Sequence, residues 1–361
     1  MKIGIVTQPL LANYGGILQN YALQQVLKRM GHTPVTIDYI PHISVMHFLL
    51  STCKTVCFWF VPGKRRPFAR YPEQLRRHEI TNGFVKKEIV TTQTVHRYSK
   101  KMISENRFAA LVVGSDQVWR PMYNLQIPDM FLKFAKHAKV KKIAYAASFG
   151  VDNWEYNRWQ TIVSRNLVKR FNAVSVREES GVELCNKYLG VDAVHLLDPT
   201  LLLDKKDYND LCSHIPVRQD RFLAAYILNM TVEKQSFIEN FARQRGLQVR
   251  CFKEAGMEKD GDAITVEEWL SMFRDADFVI TDSFHGSVFS IIYQKDFLSF
   301  ANILRGADRF VSLLSMFGLT DRIISAPMAI DKISSIVWSQ VQSIRHEMQE
   351  KSISFIDNSL A

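Results

Sequence analysis

The chain has 361 residues, 47% of them hydrophobic and 23% charged, with a formal charge of +10. That length exceeds one small core and suits two domains, while the composition excludes a disordered, low-complexity or solenoid chain. The positive balance is compatible with nucleic acid, an anionic membrane surface or phosphorylated ligands. Without a helix-turn-helix, zinc-finger or aromatic RNA-binding signature, nucleic acid is not expected as a partner.

Residues 2–7 are apolar and β-branched from the first positions onward, so a strand rather than a cleaved signal peptide is expected there. A turn at Asn13-Tyr14-Gly15-Gly16 leads into an amphipathic helix over 17–30, stopped by Gly31, and a strand over 34–40 follows. Further strands are predicted at 110–114, 142–147, 173–176 and 193–197, with helical patterns between them. A second series begins near residue 221: strands at 222–228, 248–252, 278–281 and 297–300, separated by helices over 232–245, 265–274 and 286–293. This alternation predicts an α/β protein of two Rossmann-like, doubly wound domains facing each other across a cleft. The expected boundaries are 1–203 for an N-terminal, acceptor-side domain with an insert over 41–105, 204–325 for a C-terminal, donor-side domain, and 326–361 for a helical tail.

Within the insert, the apolar run 44–61 precedes Lys64-Arg65-Arg66 and Arg70. It is too short and too interrupted by Lys54 to span a bilayer. Two readings stay open, an interfacial helix beside anionic headgroups and a flap over the cleft. The five cysteines (Cys53, Cys57, Cys185, Cys212 and Cys251) are odd in number and lack paired ligand spacing. Reduced thiols in a cytoplasmic protein, associated with the inner face of a membrane if the interfacial reading holds, are therefore expected, with no metal site.

Ligands in doubly wound folds collect beyond the carboxyl ends of strands, and four such places carry suggestive residues. Asn13, Tyr14, Gly15, Gly16 and Gln19 combine a glycine turn with polar side chains, suited to a sugar or an anion. Ser115, Asp116 and Trp119 follow a strand; a carboxylate there can accept a hydroxyl proton and an indole can stack on a sugar. Equally, Ser115 or Asp116 can simply cap a helix. Arg177 ends a buried strand, where its fork matches a carboxylate or phosphate, or pairs with Glu178 or Glu179. Finally, Asp282-Ser283-Phe284-His285-Gly286-Ser287 places a titratable histidine at a helix start, with Gly286 and Ser287 N–H groups available for phosphate. Arg305 and Arg309 follow the next strand and supply cations to the same pocket.

Taken in order, these pieces resemble the polysaccharide pyruvyl transferase family. The match is carried by Asn13-Tyr14-Gly15-Gly16 with Gln19, Gly114-Ser115-Asp116-Gln117-Val118-Trp119, Tyr145 through Gly150 with Ser148, Ser175-Val176-Arg177-Glu178, Asp198-Pro199-Thr200, Thr281 through Gly286, and 309–319. The resemblance covers about residues 1–325 and leaves out the insert and the last residues. It implies a fold like the GT-B glycosyltransferases, phosphoenolpyruvate as donor co-substrate without a prosthetic group, and no metal in the chemistry. It further implies that His285 is catalytic, that Arg177 and Arg305 bind the donor, and that Asp116 is an acidic site residue. The implied acceptor is a surface polysaccharide or its lipid-linked precursor, converted to a pyruvate ketal with release of phosphate. Two other classes fit the same fold: a GT-B glycosyltransferase using a nucleotide sugar, with Asp282 or Glu267 near the ribose, and a non-catalytic glycan- or membrane-binding protein.

Overall fold

The computed structural model describes residues 1–40, 71–124, 126–252, 264–301, 308–324 and 333–361, with only the backbone described over 71–78. Strands β1 (Lys2–Val6), β2 (Thr33–Thr36), β3 (Ala110–Val113), β4 (Lys141–Ala147), β5 (Ala173–Val176) and β6 (Val194–His195) form one parallel sheet in the order β2-β1-β3-β4-β5-β6. Strands β7 (Phe222–Tyr226), β8 (Gln248–Phe252), β9 (Phe278–Thr281), β10 (Asp296–Phe300) and β11 (Ile323–Ile324) form a second, in the order β11-β10-β9-β7-β8. Strand β3 is buried along its whole length, as a parallel strand covered on both faces must be.

The helices are α1 (Tyr14–Arg29), α2 (Tyr71–Glu88), α3 (Lys100–Glu105), α4 (Arg158–Val168), α5 (Glu179–Leu184), α6 (Lys205–Leu211), α7 (Val232–Gln244), α8 (Val266–Asp275), α9 (Phe284–Tyr293), α10 (Asp308–Met316) and α11 (Trp338–Leu360). In each sheet the chain first winds one way and then the other, so the order reverses between β1 and β3 and again between β7 and β9. Those switch points are where open α/β sheets leave a crevice at their carboxyl ends. The halves are not loosely hinged: one apolar cluster runs from Ile3, Tyr14 and Leu18 to Trp269, Phe273 and Phe289.

Several elements differ from their predicted course. Helix α1 starts three residues earlier than the periodicity suggests, because Asn13 accepts a hydrogen bond from the Gly16 N–H at 3.0 Å and caps it. The glycine pair therefore lies in the first helical turn rather than in a loop. Within the expected helical tail, helix α11 starts only at Trp338 and runs to Leu360, its far end buried at Ser352, Ile356 and Leu360 against the first half, where Lys141 Nζ donates to the Leu360 carbonyl at 2.8 Å. There Arg345, itself buried, donates to the carbonyls of Leu201 at 3.1 Å and Leu203, which satisfies a guanidinium that water cannot reach. The apolar run 44–61 and its basic neighbours lie outside the described residues. The later part of the insert belongs to the core, since Phe84, Val85 and Ile89 are buried and Phe84 meets Tyr21 edge-on. Among the described residues no helix is long and apolar enough to cross a membrane.

Candidate active site

The carboxyl ends of β3, β5 and β6 and the starts of α1 and α9 converge on one buried cluster. At its centre is Asp198, which follows β6 and is closed to solvent. Its Oδ1 accepts hydrogen bonds from the Thr200 N–H at 3.0 Å and the Thr200 hydroxyl at 2.6 Å. Its Oδ2 accepts from Gln19 Nε2 and from Arg177 Nη1 at 2.8 Å, and lies 3.9 Å from His285 Nε2. Burial alone would raise the Asp198 pKa, but Arg177, His285 and the Thr200 bond outweigh it and hold the carboxyl below its usual range.

Arg177 is surrounded by carboxylates from three segments. Besides Asp198, it lies 3.5 Å from Glu178 Oε1 and 3.8 Å from Asp116 Oδ1. Burial works to lower its pKa; Asp198, Glu178 and Asp116 together raise it. Even so, Nε and Nη2 are buried without a hydrogen bond. The guanidinium carbon sits 4.4 Å from the centre of the Phe284 ring, and that of Arg309, from α10, sits 5.6 Å from the same ring. Burial and the neighbouring Arg177 push the Arg309 pKa down to about 10. Two buried cations over one ring repel each other, and the nearby Asp116 and Glu178 carboxylates offset part of that repulsion.

His285 enters at the first turn of α9. Its ring packs against the start of α1 so closely that a Cβ on Gly15 would sit 2.0 Å from Nδ1. Nε2 is buried and has no hydrogen-bond partner. Burial lowers the imidazole pKa to about 4; Asp198 opposes this and Arg177 adds to it. The ring is therefore neutral near pH 7. Asp116 adopts a left-handed backbone, φ 35°, which is uncommon for a non-glycine residue and concentrates at functional sites. Its Oδ2 accepts from Asn13 Nδ2 at 3.0 Å, tying the β3 turn to the α1 cap.

Several sequence-predicted residues lie elsewhere or do something else. Trp119 is fully buried, stacked on Phe131 at 4.7 Å and donating to the Met130 carbonyl at 3.0 Å, so it is core and not a sugar platform. Tyr14 is likewise buried: its hydroxyl donates to the Ile264 carbonyl and its ring meets Trp269, which makes it an inter-half contact. The Ser287 N–H is taken by the Ser283 carbonyl at 3.1 Å and its hydroxyl by Ser299 at 3.0 Å, so Ser287 offers no anion cradle. Gly286 is required by contact with Thr281, whose Oγ1 would lie 2.1 Å from an added Cβ. Ser283 precedes α9 but its side chain makes no capping bond, leaving the first-turn N–H groups of Phe284, His285 and Gly286 without a side-chain cap. Ser148 is a brace: its hydroxyl donates to Glu178 and its N–H to the Asp116 carbonyl at 3.0 Å. Arg305 lies outside the described residues.

Two residues emerge that sequence reasoning left aside as chemistry, Asp198 and Glu178. Glu178 is buried with Oε2 unpartnered, and burial, against the opposing pull of Arg177, raises its pKa. Asp282, the acid a nucleotide-sugar enzyme would need at the ribose, is instead bound to the Leu228 and Asn229 N–H groups and to Lys234 Nζ at 2.7 Å.

The family model for polysaccharide pyruvyl transferase matches residues 13–303, more than half of the chain. No curated protein is similar enough in sequence to match. Among solved structures, UDP-GlcNAc 2-epimerase from Neisseria meningitidis is 8% identical with a TM-score of 0.52, over 100% of this chain and 99% of that one. The Methanocaldococcus jannaschii UDP-GlcNAc 2-epimerase is 9% identical with a TM-score of 0.47, over 97% and 93%. MurG from Acinetobacter baumannii is 8% identical with a TM-score of 0.41, over 98% and 94%. Identities this low speak to the fold alone, a GT-B-like pair of Rossmann-like halves.

Proposed function

Since the chain belongs to the polysaccharide pyruvyl transferase family, we propose that it moves the pyruvyl group of phosphoenolpyruvate onto two hydroxyls of a glycan. The glycan is free or lipid-linked and is met on the cytoplasmic side. The observation that carries this reading is the meeting of a neutral, unpartnered His285 Nε2 with the buried cations Arg177 and Arg309 over Phe284. An anion of small size with a proton-transfer centre beside it suits an enol phosphate.

In this reading Arg177 and Arg309 face the carboxylate and phosphate of the donor, and the first-turn N–H groups of α9 support them. A sugar hydroxyl attacks carbon 2, and its proton passes to a base. Neutral His285 is the group suited to take it, with Asp116 holding the hydroxyl side of the pocket. The resulting imidazolium faces Asp198 and the donor's negative charge, both of which favour it, and it delivers the proton to carbon 3. The product of that step is a phosphoketal with a methyl group. A second hydroxyl then attacks carbon 2, phosphate leaves with the oxygen it brought and takes up the second hydroxyl's proton, and the cyclic ketal closes. Burial of the whole cluster excludes water that would otherwise hydrolyse the intermediate.

The test is phosphate release from phosphoenolpyruvate with a panel of galactosyl and mannosyl acceptors, wild type beside His285→Ala. Acceptor-dependent release that falls by about 100-fold or more in the variant supports the reading. Turnover of a nucleotide sugar in place of phosphoenolpyruvate removes it.

A further inference from the structure

Asp198 is not an isolated buried charge. Among the described residues it is the one carboxylate within salt-bridge distance of both a residue we place on the donor, Arg177 from the first half, and the residue we place on the proton, His285 from the second. Oδ2 receives Arg177 Nη1 at 2.8 Å and Gln19 Nε2 from the first half, and stands 3.9 Å from His285 Nε2 of the second. Oδ1 is pinned by both polar groups of Thr200 at 3.0 and 2.6 Å, so the carboxylate plane cannot turn without breaking two bonds. The segment is braced from behind as well: the Leu197 N–H donates to Ser352 of α11 at 3.3 Å, and Arg345 and Gln349 of the same helix hold the Leu201 carbonyl.

We infer that Asp198 is the positioning residue of pyruvyl transfer: it fixes the fork of Arg177 and stabilises the imidazolium of His285 across the inter-half contact. The inference rests on the reading of Arg177 and His285 given above. The charged groups facing the His285 ring are Asp198, Arg177 and Asp116 from the first half and Arg309 from the second. Of these, the two arginines oppose imidazolium and the two aspartates favour it, with Asp198 the stronger. Removing the Asp198 charge therefore makes His285 harder to protonate, while leaving the surrounding cations at least as receptive to an anionic donor.

The variant is Asp198→Asn, which keeps shape and loses charge. At pH 7 kcat for phosphate release should fall by about 100-fold or more. The acid limb of kcat should move to lower pH by about one unit, as expected when an opposite charge within a few ångströms is lost. KM for phosphoenolpyruvate should stay level or drop. A residue that mattered only for folding would lower kcat and raise KM together and leave the acid limb in place, and that result would overturn the inference, as would kcat within threefold of wild type. If Asp198→Asn does not fold, Gln19→Leu removes one bond to Oδ2 and keeps the charge. Its kcat should then drop about tenfold with the acid limb unmoved, in line with the loss of about 1.4 kcal/mol of support; unchanged kcat refutes the inference. The wild type separates the two levels of the argument. With no phosphate release and no calorimetric binding of phosphoenolpyruvate, the donor reading fails and Asp198 with it. With normal wild-type turnover and an unmoved Asp198→Asn profile, only the positioning role fails.

Discussion

Gly15→Ala isolates the contact between the two halves at the reacting histidine. Gly15 is the second residue of α1, and no left-handed backbone angle forbids a side chain there. On helix propensity alone the change should stabilise the protein by about 1 kcal/mol. The contact reverses that sign. The new methyl would lie 2.0 Å from Nδ1, 2.3 Å from Cγ and 2.5 Å from Cε1 of His285. The ring must retreat by about 1.4 Å to reach an ordinary contact of 3.4 Å, and misplacement by about 1 Å is enough to cost about 100-fold in rate. Overpacking at such a site costs about 1–3 kcal/mol, which outweighs the propensity gain. We therefore expect Gly15→Ala to lower kcat by about 100-fold and to lower Tm slightly. Gly16→Ala is the comparator, since its nearest foreign atom would be Asn13 Nδ2 at 3.1 Å, a contact a side-chain amide can relax. Phosphate release and thermal melting of both variants decide the matter. A Gly15→Ala protein with wild-type kcat and a raised Tm would show that the ring is not held against α1.

Three further outcomes follow from the same geometry. The folded-state pKa of His285, about 4, is depressed below its ordinary value of 6.5, so between those values the unfolded chain binds more protons and stability falls as pH falls. The shift corresponds to about 3 kcal/mol at most, and His285→Gln should lose visibly less stability than wild type between pH 6.5 and 4.5 in urea titrations. Trp119→Phe should keep the stack on Phe131 and lose the bond to the Met130 carbonyl, destabilising the fold by about 1–3 kcal/mol. Its acceptor KM should be unchanged, and a KM raised tenfold would restore Trp119 to the binding surface. Arg345→Met takes the guanidinium donor from the Leu203 carbonyl and leaves the Leu201 carbonyl to Gln349 alone. A loss of about 2–5 kcal/mol is expected by denaturant unfolding, and a loss below 1 kcal/mol would mean that α11 is not the brace described.

Much of the fold was legible because each half repeats one simple signal. The parallel strands are short apolar runs between amphipathic helices, and residues 173–176, 248–252 and 278–281 fall where the pattern put them. What failed was local. Asn13-Tyr14-Gly15-Gly16 reads as a turn by glycine content, yet one side-chain cap suffices to make it the first turn of a helix. Strand β2 stops at Thr36 rather than 40, and β6 has only Val194 and His195. At β2, the chain beyond Thr36 leaves the ladder for isolated bridges to 91 and 95, partners supplied by a distant insert. No window of sequence around residue 36 contains that information.

The site divides along the same line. Strand ends are visible in a sequence, so the residues beyond them could be named: Asp116, Arg177 and His285 do meet in one cluster. Which way each side chain points is decided by the pleat and the turn, and that is invisible. Asp116 and Trp119 lie three residues apart in one motif, yet the first faces the cluster and the second fills the core of its own half. Ser287, two residues past His285, turns from the same helix end into the sheet. Asp198 was the reverse case, a carboxylate quoted only as part of a match because nothing near it in the chain suggested chemistry. Its importance comes from Gln19, Arg177 and His285, residues up to 179 positions away. Locally the chain shows only an Asp-Pro-Thr turn whose threonine pins one carboxylate oxygen, and the partners of the other oxygen all come from distant segments. The residues that touch a reacting group can be guessed from strand ends. Those that orient it are known only once the two halves are packed together.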